Sequence, residues 1–224
     1  MPRHRAARFR IRTPWIFGVG AGIYEAVTTQ DVWRRHCRET AARVPGRRVL
    51  DLGIGPGVSG IQALRADSGK VVVGVDCSAA MIQRAKRRVA DAELDVLLVQ
   101  GDASHLPFAS ASYEGATGHS FLYLLADSDA VLKEVHRVVR PGGAVAFLEP
   151  SALEARARLR AIRDAYRHGF RFGTSMLLWS IFSGMHGRYT PASLAAQLTG
   201  CGFVEAKVTP SFQGLGLLAT ARRP

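Results

Sequence analysis

The chain has 224 residues, 47% of them hydrophobic, which fits one domain of generous size with a full buried core. Its three cysteines, Cys37, Cys77 and Cys201, stand far apart with no pair at metal-ligand spacing, which argues against a disulfide framework and against a metal site, and for a reducing, cytoplasmic setting. The formal net charge of +12, carried mostly by arginine, draws anions such as nucleic acid, an acidic lipid surface or an acidic substrate, and bears on partners rather than on fold.

Arg3, Arg5, Arg8, Arg10 and Arg12 crowd the start, and an apolar stretch from Pro14 to Tyr24 follows. The pair imitates a secretion signal. The apolar part, however, holds three glycines, ends at Glu25, lacks a small-residue cleavage pattern and falls well below the roughly 20 residues of a membrane span. The reading is an exposed basic tail plus a cap segment, with Tyr24 placed to reach the mouth of a site. Thr29 or Asp31 then caps a helix to about Val44 that is expected to lie over the ligand end of a sheet.

Arg48 to Leu52 read as a short buried strand. Gly53, Gly55 and Gly57 permit a tight turn on which a ligand can lie directly against backbone, and Val58 to Ala66 read as the following helix. Strand, glycine turn and helix N-terminus form a Rossmann-type nucleotide site. Gly55 to Gly60 also satisfies the formal dinucleotide fingerprint. Asp51 at the strand end nevertheless repels a diphosphate at short range, whereas it favours the ammonium and sulfonium of S-adenosylmethionine, which carries no phosphate.

Lys70 to Asp76 is a second strand ending in an acid, placed to take the two ribose hydroxyls of an adenosine. Leu94 to Val99 form a third strand. Gln100-Gly101-Asp102-Ala103 follows it and offers the Asp102 carboxylate to an adenine amino group. The fourth strand, Gly115 to Gly118, is small and poor in β formers, and His119 follows it. Leu132 to Arg140 read as a helix stopped by Pro141, Gly142 and Gly143, running into the strand Ala144 to Leu148. From Ser151 to Tyr189 the rhythm changes to an arginine-rich helix, Ala152 to Tyr166, and an apolar one, Thr174 to Met185. Thr190 and Pro191 open a last helix by cap and first-turn proline, and Phe203 to Val208 with Leu215 to Ala221 read as a closing hairpin.

The segments from Arg47 to Glu149, in this order and spacing, resemble the class I S-adenosylmethionine-dependent methyltransferases. The likeness is closer to the small-molecule branch of quinone and sterol methyltransferases, on Asp76-Cys77-Ser78-Ala79-Ala80-Met81 and Leu106-Pro107-Phe108. The chain departs from the family at Tyr113-Glu114, where Phe-Asp is usual, and at Phe121 to Leu125, where that branch often has a histidine pair. The resemblance implies an α/β, Rossmann-like, doubly wound and mostly parallel seven-stranded sheet with an antiparallel last strand, an N-terminal helical cap and a helical insertion after the fifth strand. It implies S-adenosylmethionine as cofactor, held by Asp51, Gly53, Gly55, Gly57, Asp76, Cys77, Met81, Asp102, Ala103 and His119. One domain over 1–224 is expected: tail and cap 1–45, cofactor core 46–150, substrate insertion 151–190, closing helix and hairpin 191–224.

An activated methyl needs chiefly alignment, and a base only for some acceptors. His119 is the first candidate base, beside its candidacy as a packed histidine. Tyr123 is weighed between orienting an acceptor and core packing, and Tyr24 and His186 are candidates from position. Met176, Leu177, Leu178, Trp179, Ile181, Phe182 and Met185, with Trp15, Ile16 and Phe17, form an apolar surface that packs as core or meets a hydrophobic ligand. Beside it stand Arg156, Arg158, Arg160, Arg163, Arg167 and Arg171, suited to phosphate or carboxylate or to a solvated face. The expectation is methyl transfer to a small hydrophobic or amphiphilic acceptor, with peripheral contact to an anionic membrane. RNA methylation through the basic tail and arginine helix is one alternative, and a non-catalytic cofactor-binding scaffold is the other.

Overall fold

The computed structural model describes residues 31–224, so Tyr24, the basic tail and Trp15, Ile16 and Phe17 lie outside the described residues. The elements are α1 (Asp31–Ala42), β1 (Arg48–Leu52), α2 (Val58–Ala66), β2 (Val71–Asp76), α3 (Ala79–Asp91), β3 (Val96–Gln100) and β4 (Tyr113–His119), then a 3-10 turn (Leu122–Leu124). They continue with α4 (Ser128–Val138), β5 (Val139–Pro150), α5 (Ala155–Arg167), α6 (Phe170–His186), α7 (Pro191–Gly200), β6 (Val204–Ser211) and β7 (Gly216–Arg222). The seven strands form one sheet in the order β3-β2-β1-β4-β5-β7-β6. Neighbours from β3 to β5 pair in parallel, and β7 runs antiparallel to both β5 and β6.

Period-two alternation sends successive side chains to opposite faces. Val72 packs with Ile61, Leu64, Ile82 and Val89 of α2 and α3, while Val73 and Val75 join the other core with Val131, Leu132 and Val135 of α4 and Leu194 and Leu198 of α7. Helices thus cover both faces, as a parallel sheet requires. The strand order reverses between β1 and β4, and ligands bind at such a switch point, outside the carboxyl ends of the strands.

The bounds of β4 and β5 differ from the sequence reading for a reason the packing shows. β4 is longer than Gly115 to Gly118 and includes His119 as its last residue. Its small residues are there because nothing larger fits: a Cβ on Gly115 would stand 2.2 Å from Val44, and one on Gly118 would stand 2.7 Å from Phe121 and 2.9 Å from Phe147. β5 begins at Val139, ahead of Pro141 to Gly143, because Val139 pairs with Tyr113 across the sheet. The helix before it accordingly ends at Val138 rather than at the proline.

The insertion leaves and re-enters at the end of β5. The Tyr189 N–H donates to the Pro150 carbonyl (2.9 Å) and the Ala152 N–H to the Tyr189 carbonyl (2.7 Å), so both ends of α5–α6 are pinned to the ligand edge of the sheet. There α5 and α6 build a third core with α1 and the β6–β7 turn, from Trp33, Cys37, Ile162, Met176, Trp179 and Phe212. Among the described residues no helix is long and apolar enough to cross a membrane.

Candidate active site

The four adjacent strands β3, β2, β1 and β4 deliver Asp102, Asp76, Asp51 and His119 to one edge of the sheet. Between β1 and α2 the chain reverses through Gly53, Gly55 and Gly57, with φ of +61, +53 and +86°. These left-handed values are what glycine supplies without a steric cost. The turn is also a close approach: a Cβ on Gly53 would stand 2.9 Å from Phe121, and one on Gly57 3.2 Å from Ala85.

Asp51 is 1% exposed, yet its carboxylate is well partnered. Ser59 Oγ, from the first turn of α2, donates to Oδ2 at 2.5 Å, and Thr117 Oγ1 donates to Oδ1 at 3.0 Å. The parallel register pairs Asp51 with Thr117, and His119 lies two residues further on the same face of β4. His119 Nδ1 stands 3.7 Å from Asp51 Oδ1, while both ring nitrogens are buried without a hydrogen-bond partner among the described residues. Buried imidazole nitrogens left unsatisfied are costly and mark a place where a ligand or water completes the set. The same small cavity, about 20 Å³, is lined by Trp33, Gly53, Pro56, Ser59 and His119. α1 therefore covers the ligand end of the sheet, as its position in the sequence implied. Cys37, further along α1, has its thiol pushed well up by burial and then by the Asp51 carboxylate.

Asp76 is tied to the glycine turn: Oδ2 accepts the Gly55 N–H (3.0 Å) and Oδ1 the Ser78 N–H (2.8 Å). Burial raises its pKa against the pull of those two bonds. Ser78 caps α3, and Met81 in its first turn is fully buried. The Cys77 thiol is pushed up to about 12 by burial and then by Asp76, which keeps it protonated and unreactive. On the next strand end Asp102 holds its own loop, Oδ1 accepting from Ser104 N–H (2.8 Å) and Oγ–H (2.7 Å), with buried Ala103 beside it.

Tyr123 and His186 come together elsewhere, under α6. Both are about 5% exposed, their rings are 6.4 Å apart edge to face, and His186 Nδ1 lies 2.9 Å from the Phe182 carbonyl. The core reading of Tyr123 is thus the one its surroundings favour.

Glu149 and the contact of Trp179 with Ser120 escaped the sequence reading. Glu149, at the end of β5, is fully buried and accepts three backbone N–H bonds, from Phe121 (3.2 Å), Leu122 (3.0 Å) and Tyr123 (3.3 Å). Burial pushes its pKa up to about 8, in spite of those three donors. The signal was present, because Leu148-Glu149-Pro150 repeats the pattern of a buried strand ending in an acid. Trp179 of α6 donates its indole N–H to Ser120 Oγ (2.8 Å), fastening the insertion to the residue after His119. Ser120 itself holds φ +56°, a left-handed conformation unusual for serine, with its N–H donated to the Leu148 carbonyl (2.6 Å).

The donor set suits an adenosine ligand bearing cationic groups and no phosphate. Three carboxylates at the strand ends present acceptor oxygens suited to an ammonium, to hydroxyls and to an amine, and the His119 nitrogens have no partner among the described residues. A diphosphate on that turn would face Asp51 and Asp76 together.

A profile of the methyltransferase domain matches residues 49–143. The chain is 33% identical over 185 residues to the malonyl-[acyl-carrier protein] O-methyltransferase of Enterobacter lignolyticus, covering 80% of this chain and 70% of that one. It is 38% identical over 118 residues to the demethylmenaquinone methyltransferase of Corynebacterium kroppenstedtii, covering 53% of this chain, and it spans about half the length of the curated relatives of that name. Among solved structures it is similar in fold to phosphoethanolamine N-methyltransferase 2 of Haemonchus contortus in complex with S-adenosyl-L-methionine (TM-score 0.70, 16% identity, 94% of this chain and 59% of that one). The fold is also that of a methyltransferase from Thermotoga maritima described as a possible histamine N-methyltransferase (TM-score 0.68, 14% identity, 93% and 98%). With the strand-end carboxylates, the glycine turn and the reversed seventh strand in place, the chain belongs to the class I S-adenosylmethionine-dependent methyltransferases.

Proposed function

We propose that this chain methylates a small, hydrophobic or amphiphilic acceptor by in-line displacement. The observation that carries the reading is the row Asp102, Asp76, Asp51 and His119 on four adjacent strand ends beside a glycine turn. S-adenosylmethionine, when bound, supplies an activated sulfonium methyl, so the protein's task is to align and enclose. Asp51, oriented by Ser59 and Thr117, takes the ammonium; Asp76 takes the ribose hydroxyls and Asp102 the adenine amine. Gly53, Gly55, Gly57, Cys77, Met81 and Ala103 line the same cradle. His119, beside Asp51, is the group to take a proton from an acceptor that must lose one, and the Asp51 carboxylate stabilises the imidazolium that results. Tyr123 and His186, buried against each other, pack beside the crevice and take no part in the transfer. In this reading residues 46–150 are the cofactor core and 151–190 the substrate insertion.

Support for a hydrophobic or amphiphilic acceptor comes from Trp33, which lines the cavity beside His119 and stacks on Phe212 at 5.3 Å, with Trp179 against both rings. Relatives named for demethylmenaquinone and for malonyl-[acyl-carrier protein] support a metabolic acceptor over a nucleic acid. The test has two steps. S-adenosylmethionine and its demethylated product should raise the melting temperature while NAD does not; stabilisation by NAD alone would reverse the assignment. Turnover should then appear on a panel of quinols, free carboxylic acids and acyl thioesters. Binding without turnover on any acceptor would favour the scaffold role.

A further inference from the structure

The outer surface of the α5–α6 hairpin carries two stripes that neither core uses. On α6, Phe170, Leu178, Ile181 and Met185 are 78, 41, 55 and 67% exposed. At roughly 100° per residue they fall within an arc of about 80°, on the side away from buried Phe172, Met176, Trp179 and Ser183. On α5, Arg156, Arg160, Arg163 and Arg167 fall within about 60°, on the side away from buried Ala161, Ile162 and Ala165.

The seam between the helices fixes how the stripes sit. A Cβ on Gly173 would stand 2.3 Å from the Tyr166 ring, so Tyr166 marks the side of α5 that meets α6. Each stripe lies about a quarter turn round from that seam and away from the core, which puts the two side by side on one surface. Leu159, 66% exposed, stands two turns before Tyr166 and joins the apolar stripe to the arginines. The single acid from Ala155 to His186 is Asp164, engaged by Arg167 (3.0 Å) and Arg163 (3.7 Å).

An arginine stripe alone is a solvated helix face, and scattered apolar side chains need no explanation. Four large apolar side chains aligned on one helix beside four guanidinium groups on the next match a boundary where acyl chains lie under anionic headgroups. We infer that this hairpin docks peripherally on an anionic membrane. Leu178, Ile181 and Met185 enter the headgroup layer, and the α5 arginines meet lipid phosphates. Since the insertion springs from the end of β5, docking brings the lipid surface to the entrance of the crevice. The inference goes beyond methyl transfer and is scored without catalysis, so it stands or falls apart from the identity of the acceptor.

The experiment is flotation of the full chain with vesicles of phosphatidylcholine, alone or mixed with phosphatidylglycerol. Binding is expected to the anionic vesicles and to weaken as salt rises. The triple variant L178S/I181S/M185S should bind them at least about tenfold more weakly, and R156Q/R160Q/R163Q should lose about as much together with most of the salt response. Both variants alter surface residues, so each must retain the parent's melting temperature and its stabilisation by S-adenosylmethionine. Undiminished binding by either variant would place the contact elsewhere in the chain and overturn the inference. Equal binding to neutral vesicles would also overturn it, as would a dimer of the parent that the apolar variant dissolves, because a second copy would then cover the stripe.

Discussion

Asp51 shows how one side chain serves packing and chemistry at once. A carboxylate 1% exposed is costly to bury, and Ser59 and Thr117 offset part of that cost with two hydroxyl donors. Replacing it with Asn keeps the shape but removes the charge and sets an amide N–H₂ against a hydroxyl. Affinity for S-adenosylmethionine is expected to fall about 10- to 100-fold, the size of a lost charge-assisted hydrogen bond, while the melting temperature changes little. Isothermal titration checks this, and unchanged affinity would remove Asp51 from the cofactor site. Glu149 behaves differently, because its folded pKa of about 8 lies above the ordinary carboxylate value near 4.5. Between those limits the folded state holds a proton that the unfolded state has released, so stability is full below about pH 4.5 and declines as pH rises toward 8. Glu149→Gln removes that titration. The difference in unfolding free energy between variant and parent should move in the variant's favour from pH 5 to pH 8, by up to roughly 1.4 kcal/mol per pH unit, and a difference independent of pH would contradict the assignment.

At the scale of elements, the Trp179–Ser120 hydrogen bond fastens the insertion to the residue after His119. Trp179→Phe keeps an aromatic ring against Trp33 and Phe212, deletes the indole donor and leaves the space of the second ring. A loss of about 1 kcal/mol in stability is expected, together with a several-fold rise in acceptor KM and little change in cofactor affinity. A shift in cofactor affinity as large as the shift in KM would show that α6 supports the cofactor cradle rather than the acceptor side. Most elements were legible in the chain. The capping box of Thr190 and Ser193 with Pro191 behind it opens α7 where the residues indicated, and the acid-ended strands β1 and β2 lie within a residue of their expected bounds. β4 and β5 were less legible for a stated reason. β4 has glycines at 115 and 118 because Val44, Phe121 and Phe147 leave no space there, and β5 starts early because Tyr113 offers a partner. Neither fact is written in local propensity.

On the scale of the molecule, the charge of +12 separates the acceptors still in contention. An RNA acceptor neutralised by arginines would lose affinity steeply with salt, by orders of magnitude across a few-fold change in concentration. A neutral quinol or a small acid delivered to the crevice should show an acceptor KM that changes less than about threefold over the same range. Measuring KM in detergent-solubilised assays at several ionic strengths distinguishes them, and a steep rise of KM with salt would favour the nucleic acid.

The amino-acid order alone determined the alternation of elements, the glycine turn and the acids at three strand ends, because each is a local pattern of a few residues whose physics needs no partner. Tertiary structure decided which of the candidates meet. Thr117 reaches Asp51 across 66 residues of sequence and Trp179 reaches Ser120 across 59, and Glu149 closes on a turn 26 to 28 residues earlier. Contacts of that span depend on strand order and on what packs above the sheet. The same packing chose the role of each apolar residue in α6: Met176 and Trp179 went to the core, while Leu178, Ile181 and Met185 were left outside by the pitch of the helix.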